Sequence, residues 1–120
     1  MARAKRQKRE LIHVLLMHRG SIEGKDSWVA QCLEYDLVAQ GYGIKKAKQA
    51  FALTLTYQVK LDIERGRKPL EQFKRAPQEY WDMWNQAEKL ADDDLLQELA
   101  GQQVNPAVYS SIPTAELGVI

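Results

Sequence analysis

The hydrophobic pattern of the N-terminal third alternates with a period of two and predicts β-structure. In ELIHVLLMHR (residues 10–19) apolar side chains occupy both sides of the alternation, which is typical of a central strand. GSIEGKDS (residues 20–27) has the composition of a turn, and residues 28–33 predict a second strand. LVAQ (residues 37–40) predicts a third strand. We therefore expect a three-stranded antiparallel meander.

From Ile44 the period changes to that of an α-helix. Apolar residues then recur at spacings of three and four, which predicts a long helix with one face on the sheet. That stripe comprises Ile44, Ala47, Phe51, Leu55 and Val59, and a second group further round the helix comprises Ala50, Tyr57 and Leu61. The helix is expected to end near ERGRKP (residues 64–69), because glycine caps helices and proline prevents their continuation.

The C-terminal part of the chain predicts two acidic helices and a tail. QEYWDMWNQAEKLA (residues 78–91) places its large apolar residues on one helical face. DDDLLQELAG (residues 92–101) begins with aspartates, which favour a helix N-terminus. Residues 102–120 contain two prolines and predict a mostly irregular tail that can add one short strand around Val108.

These elements predict an α+β fold with four segments. Residues 1–9 form a basic arm and residues 10–76 an α+β domain, with a three-stranded meander and a long helix. Residues 77–101 form an acidic helical extension, and residues 102–120 the tail. A chain of 120 residues is most simply one domain, because a second core would be too small to be stable.

Composition predicts a cytoplasmic protein. Hydrophobic residues make up 45% of the chain and charged residues 28%, and no apolar run approaches the roughly 20 residues of a membrane helix. The opening MARAKRQKRE is basic but leads into alternating residues, not a signal-peptide core. The only cysteine, Cys32, lies in an apolar strand pattern and is expected to be buried.

The net charge of +1 hides a strong asymmetry between the two parts of the chain. Residues 1–75 contain 16 Lys and Arg against 8 Asp and Glu, whereas residues 76–120 contain 1 against 8. Acidic helices would repel a phosphate backbone, so DNA binding by the C-terminal part is disfavoured.

Catalytic and cofactor motifs give little support for an enzyme. His13 and His18 are five residues apart on or near one strand, and Cys32 has no close companion, so no metal site and no cofactor are expected. The carboxylate pair of Glu34 and Asp36 allows a hydrolase as a weak alternative, because acid–base chemistry uses two carboxylates in different environments.

RNA binding is the main alternative function. A sheet that carries Trp28, Tyr35 and Tyr42 offers stacking surfaces for bases. The basic side chains that would follow the phosphates are Arg3, Lys5, Arg6, Lys8 and Arg9. Such binding would weaken steeply with salt.

The segment WVAQCLEYDLVAQG (residues 28–41) and the helix after it resemble the HicB-like antitoxin family. In that family a strand reading Tyr/Trp-Val-Ala-x-Cys-x-Glu precedes a short strand ending in Gln-Gly and a helix rich in Glu and Ala. The matching residues here are Trp28, Val29, Ala30, Cys32, Glu34, Ala39, Gln40, Gly41, Ala47 and Ala50. The resemblance covers residues 10–68 and implies a β-β-β-α-β domain of partial RNase H-like fold.

The resemblance implies a binding protein without an activity of its own. HicB-like proteins bind a small HicA-like toxin, which cleaves mRNA, and cover its active site. The partner-binding residues expected here are Trp28, Glu34, Tyr35, Asp36, Tyr42, Lys45 and Lys46. A homo-oligomer, a dimer or tetramer, is also expected. Its interface residues are expected to be Tyr57, Tyr80, Trp84 and Leu90.

One departure from the family's pattern reverses the charge at the start of the helix. The family has Asp, then Thr or Ser, then Glu-Glu-Ala, whereas this chain has YGIKKA (residues 42–47). Lysines in a first turn oppose the helix dipole at a cost of a few tenths to about 1 kcal/mol each. An acidic partner surface or an anion would relieve that cost.

Overall fold

The computed structural model describes residues 10–91 and 105–120, which form a mixed α and β fold. The strands are β1 (Leu11–Ile22), β2 (Lys25–Cys32), β3 (Val38–Tyr42), β4 (Glu88–Lys89) and β5 (Thr114–Val119). The helices are α1 (Ile44–Glu64), α2 (Gln78–Gln86) and α3 (Pro106–Ser111). The basic arm at residues 1–9 and the helix predicted for residues 92–101 lie outside the described residues.

The strands form one five-stranded sheet in the order β3-β2-β1-β5-β4. Strands β1, β2 and β3 make the predicted antiparallel meander. β5 lies beside β1 and runs parallel to it, so the predicted central position of β1 is confirmed. The sheet has five strands where the sequence predicted three, because β4 and β5 extend it beyond the meander.

The hairpin between β1 and β2 is tighter than the turn predicted for residues 20–27. Both strands continue through that segment and leave a loop of Glu23 and Gly24, whose φ angles are 52° and 77°. Positive φ at both central residues matches the twist of the flanking strands, as in type I′ turns. The register shifts once between His18 and Ser21, so the hairpin contains an irregularity near its tip.

Helix α1 covers the first face of the sheet, as its apolar stripe predicts. Ala47, Phe51, Leu55 and Val59 are buried there. They pack against alternate residues of the strands, which point to one face because side chains in a strand alternate. The main sheet residues of this first core cluster are Ile12, Val14, Leu16, Ala30, Cys32, Ala39 and Leu117.

Helix α2 covers the second face. Leu15, Met17, Val29 and Leu33 form a second buried cluster with Ala76. The half-buried residues of α2 and its C-cap that pack on this cluster are Tyr80, Trp81, Met83, Trp84 and Ala87.

Trp84 fixes where α2 lies on the sheet. A Cβ atom placed on Gly118 of β5 would lie 2.7 Å from a ring carbon of Trp84, so the glycine leaves the space that the indole occupies. The helix predicted through residue 91 ends at Gln86, because Ala87 is extended and Glu88 pairs with Val119 of β5.

The C-terminal tail is more regular than predicted. Val108, expected in a short strand, lies in α3, and the strand is β5 further along. Two residues favour the start of α3. The side chain of the N-cap residue Asn105 accepts the N–H of Ala107 at 2.8 Å, and Pro106 occupies the first turn. Val108 and Ile112 are buried against the first core cluster.

Within the described part of the chain, no helix combines the length and apolar character needed to cross a membrane.

Candidate functional site

The residues expected to bind a partner lie at two opposite ends of the meander. Tyr42 is paired with Ser27 near the start of β2, and the loop of residues 34–36 follows the end of β2. A strand rises about 3.3 Å per residue, so roughly 20 Å separate the two ends. These residues therefore lie on two distinct surfaces.

The first surface, which we term the acidic end, is built around His13 and Glu34. The backbone N–H of His13 donates to one oxygen of Glu34 at 2.7 Å, and Nδ1 of the ring lies 2.6 Å from the other. Nε2 of the same ring lies 3.9 Å from Glu116 on β5. Two carboxylates thus flank one imidazole that is 27% exposed.

Two tryptophans of α2 cover the His13 ring. The centroids of His13 and Trp84 are 5.0 Å apart in an edge-on arrangement, and Trp81 is 6.3 Å away. The guanidinium of Arg75 lies 4.4 Å above the Trp81 ring. Such contacts restrict the imidazole to one orientation, so Glu34 is held on a rigid support.

Tyr35 links the loop to the residue that precedes β1. Its hydroxyl donates to the carboxylate of Glu10, with O···O distances of 2.8 and 2.7 Å. Burial, together with this hydrogen bond and the charge of Glu10, raises the pKa of Tyr35 above its usual range. The hydroxyl therefore stays protonated and keeps donating at neutral pH.

Asp36 is held by two groups around it. Its backbone N–H donates to the carbonyl of Lys74 at 2.7 Å, and its carboxylate accepts the side-chain amide of Gln31 at 2.7 Å. The same amide donates to the carbonyl of Cys32 at 2.9 Å. Glu34 and Asp36, the pair considered for acid–base chemistry, therefore both accept hydrogen bonds within the chain.

Asp62, which was not predicted from the sequence, supports the loop of residues 34–36 indirectly, through the segment that follows α1. Its carboxylate is fully buried at the end of α1 and accepts the N–H of Leu70 at 2.8 Å. Gln58, Gln72 and Arg67 also approach it, at 3.1, 3.2 and 3.5 Å. The signal was present, since residue 62 continues the buried stripe three positions after Val59.

The second surface lies along β3 at the edge of the sheet. A groove of about 840 Å³ is lined by Lys25, Gln40, Gly41, Tyr42, Lys46 and Ala50. Nζ of Lys25 lies 5.5 Å from the centre of the Tyr42 ring. The side-chain amide of Gln40 donates to Ser27 at 2.7 Å. Two of the expected partner-binding residues, Tyr42 and Lys46, are thus brought together here.

The first turn of α1 carries two exposed lysines, Lys45 and Lys46. Gly43 caps the helix with no side-chain hydrogen bond, and no acidic residue lies in the first turn. Lys45 and Lys46 are exposed, and no ion pair within the described residues engages either of them. The lysines that oppose the dipole of α1 are therefore an exposed pair of charges.

Trp28 lies outside both surfaces. It is half-buried against the first core cluster, and its ring centroid lies 5.1 Å from that of His18. His18 in turn lies 3.2 Å from Asp26. The two histidines therefore have separate carboxylate neighbours, and the structure does not bring them together with Cys32.

Three of the residues expected at an oligomer interface pack within the chain. Tyr80 and Trp84 lie on the second cluster and Leu90 packs on the first. Tyr57 is different, since 66% of its side chain is exposed on α1.

Cys32 is buried as predicted, and burial raises its pKa to about 12. We expect iodoacetamide to label it at least about a hundredfold more slowly in the native protein than in denaturant at pH 8, because thiolate is scarce and covered. Mass spectrometry of timed samples measures both rates. Ser21→Cys on the exposed hairpin is the control and should react quickly; similar native rates at both positions would contradict the burial.

The five basic residues of the arm, Arg3, Lys5, Arg6, Lys8 and Arg9, fall outside the described residues. Among the residues that are described, no group of three or more His, Cys, Asp or Glu side chains is placed to hold a metal ion. Comparison of the chain with protein-family models, curated proteins and solved structures finds no match.

Proposed function

We propose that this chain is a HicB-like binding protein that sequesters a small HicA-like toxin and performs no reaction itself. The order of its elements supports the proposal. Three antiparallel strands lead into one long helix, and a later strand, β5, returns parallel to β1. These elements agree with the β-β-β-α-β order that the family resemblance implies, with α2, β4 and α3 inserted before the last strand.

The observation that carries the proposal is the acidic end. Four carboxylates lie around the neighbouring ends of the strands: Glu10, Glu34, Asp36 and Glu116. A small RNA-cleaving protein must carry basic side chains to hold its substrate, so a fixed group of carboxylates is complementary to it. Complementary charge speeds association and disfavours wrong partners.

Rigidity of the acidic end adds to this argument. Glu34 is bound by His13, Tyr35 is tied to Glu10, and Asp36 is held by Gln31 and Lys74. A surface that is already ordered loses little conformational freedom on binding, so more of its interaction energy is available as affinity.

Capture from the native host tests the proposed function. The tagged chain is purified with and without nuclease, and the bound proteins are identified by mass spectrometry. We expect a stoichiometric small basic protein that survives nuclease. Its RNA cleavage should stop when the purified chain is added. Recovery of RNA alone, lost on nuclease or high salt, would contradict the proposal and favour the RNA-binding alternative.

Charge reversal locates the binding surface on the chain. We expect Glu10→Lys/Glu116→Lys to weaken binding of the captured protein about tenfold or more, because each reversal places like charges in contact. The control is Glu23→Lys/Asp26→Lys, which makes the same change of charge at exposed positions of the β1–β2 hairpin, at the other end of β2. Isothermal titration measures both; equal affinities would rule out the acidic end as the binding surface.

A further inference from the structure

The outer side of β3 is an open sheet edge. β3 is the terminal strand of the sheet and pairs with β2 on its inner side. The N–H of Gly43 donates to Asp26 at 2.8 Å, and the N–H of Cys32 donates to Leu37 at 2.9 Å. Bonded and non-bonded residues alternate in an antiparallel pair, so odd-numbered residues of this strand face β2.

Three consecutive even-numbered residues therefore direct their backbone groups outward. These are Val38, Gln40 and Tyr42, and no other backbone hydrogen bond within the described residues engages them. An open strand of this kind can pair with another strand.

Exposed apolar side chains follow the same edge. On β3 itself, Val38 is 49% and Tyr42 50% exposed. Lys46 and Ala50 of α1 line the groove beside β3, so that side of the helix faces the edge. Leu53 and Tyr57 continue this side at helical spacing and are 52% and 66% exposed.

We infer that this edge binds a second copy of the chain, strand β3 against strand β3, about a two-fold axis at Gln40. Gln40 then faces the partner's Gln40, and Val38 faces the partner's Tyr42. Each facing pair exchanges two backbone hydrogen bonds, which uses every outward group of the three residues. The two α1 helices lie on the same face of the joined sheet, with Leu53 and Tyr57 toward the partner.

Side-chain pairing favours this register. Directly opposed residues share a face of the sheet, so each Val38 covers a partner Tyr42. The contact is isologous, because the same surface serves both copies. Half of the exposed large hydrophobic residues of the described chain lie along this edge: Val38 and Tyr42 on one face of the sheet, and Leu53 and Tyr57 on α1 at the other.

Charge complementarity also selects a second copy as the occupant. One end of β3 carries the exposed Lys45 and Lys46, and the other end carries the exposed Asp36. An antiparallel two-fold places opposite ends side by side, so Asp36 approaches the partner's Lys45. The lysines that oppose the dipole of α1 thereby gain an acidic neighbour.

The first test is the molar mass of the purified chain by light scattering. We expect twice the 13.8 kDa of one chain. We expect Leu53→Lys/Tyr57→Lys to be monomeric at concentrations where the wild type is dimeric, since the dimer would then hold four added positive charges on the sides of α1 that face the partner. Leu11→Lys/Ile22→Lys removes two other exposed apolar residues, away from this edge, and should remain dimeric. A monomeric wild type, or a dimer unaffected by the first variant, would overturn the inference.

The second test is a cysteine crosslink, which reports the register. Gln40→Cys should form a disulfide dimer on mild oxidation, because paired Cα atoms are about 5.5 Å apart across such a ladder. Val38→Cys should not, because its own symmetry mate is four residues away along the strand. The native Cys32 is buried and does not compete. Crosslinking of both variants, or of neither, would overturn the register.

Neither test includes the proposed toxin, so their outcome is independent of the proposed function. A chain that captures the toxin but is monomeric on its own would refute the dimer and leave the sequestering role intact. A dimer that captures only RNA would support the β3 interface and refute the sequestering role.

Discussion

Replacing Asp62 with alanine is expected to lower the free energy of unfolding by about 3 kcal/mol. Removing one member of a buried charged network leaves its partners unpaired, which costs about 3 to 5 kcal/mol in the strongest cases. Here Leu70 would lose the acceptor for a buried N–H, while Arg67 is 39% exposed and can turn to water. The expected value therefore lies at the lower end. Urea unfolding followed by circular dichroism measures it.

The stability that Asp62 confers should depend on pH. Burial alone would raise the pKa of Asp62, but the Leu70 N–H, the two glutamine amides and Arg67 hold it below its usual range. A carboxyl with a lowered pKa in the folded state stabilises the fold above its unfolded pKa of about 3.9, and this is lost as pH falls through the folded value. The difference between wild type and Asp62→Ala should be full near pH 7 and shrink below about pH 4.

A nearby exposed carboxylate provides the control for Asp62. Glu64 lies two residues on in the same helix, 60% exposed and 4.0 Å from Lys60. Glu64→Ala should change the free energy of unfolding by no more than about 0.5 kcal/mol at any pH. Equal losses in the two variants would mean that Asp62 is not the buried anchor of residues 65–73.

Asp62 also connects stability to the acidic end. It fixes Leu70, which is buried with a φ of 66°, and the chain then runs to Lys74, whose carbonyl accepts the N–H of Asp36. Ala76, two residues on, donates to Leu33 at 2.8 Å. Loosening residues 65–73 therefore releases one side of the loop that carries Glu34, Tyr35 and Asp36.

Periodicity was sufficient for the meander and for α1, because each has one strong repeating pattern. A strand with apolar residues on both sides must be internal, and β1 is flanked by β2 and β5. Four of the five stripe residues of α1 are buried, because an apolar stripe at helical spacing packs against the sheet to leave water. These are local signals, and no distant part of the chain is needed to interpret them.

The elements that were missed depend on distant partners. β4 has two residues and exists because β5 is beside it. The four interior residues of β5 include no β-branched side chain, and the strand gains its hydrogen bonds from β1, about a hundred residues earlier. α3 was missed although Asn105 and Pro106 are helix-start signals, because six residues are too few for periodicity.

The same limit applies to the candidate site. His13 and Glu34 are 21 residues apart, and only the register of β1 on β2 brings them together. Tyr80 and Trp84 form a strong apolar face that sequence cannot assign to the core or to a partner. The space over Gly118 resolves this for Trp84, since the indole fills it from within the chain.

Gly41→Ala is expected to lower the free energy of unfolding by about 3 kcal/mol, at the upper end of the usual cost of overfilling a packed site. A Cβ atom at Gly41 would lie 2.6 Å from the backbone N of Ala47 and 2.6 Å from the carbonyl carbon of Lys46. Both contacts are with backbone of α1, so no rotamer change can relieve them. The start of the helix must move away from β3. Chemical unfolding at pH 7 measures the loss.

Gly66→Ala separates this steric effect from the general cost of replacing glycine. Gly66 has a φ of 69° and nothing within 4 Å of an added Cβ, so alanine there costs only the left-handed conformation, about 1 kcal/mol. Position 41 requires glycine for a different reason: α1 packs directly on β3 and leaves no space for a Cβ atom. If Gly41→Ala lowered the free energy of unfolding no more than Gly66→Ala does, α1 would not pack closely against β3. If α1 does pack closely on β3, Gly41→Ala also displaces Lys46 and Ala50 from the groove. It then weakens the proposed β3 dimer, which Gly66→Ala leaves intact.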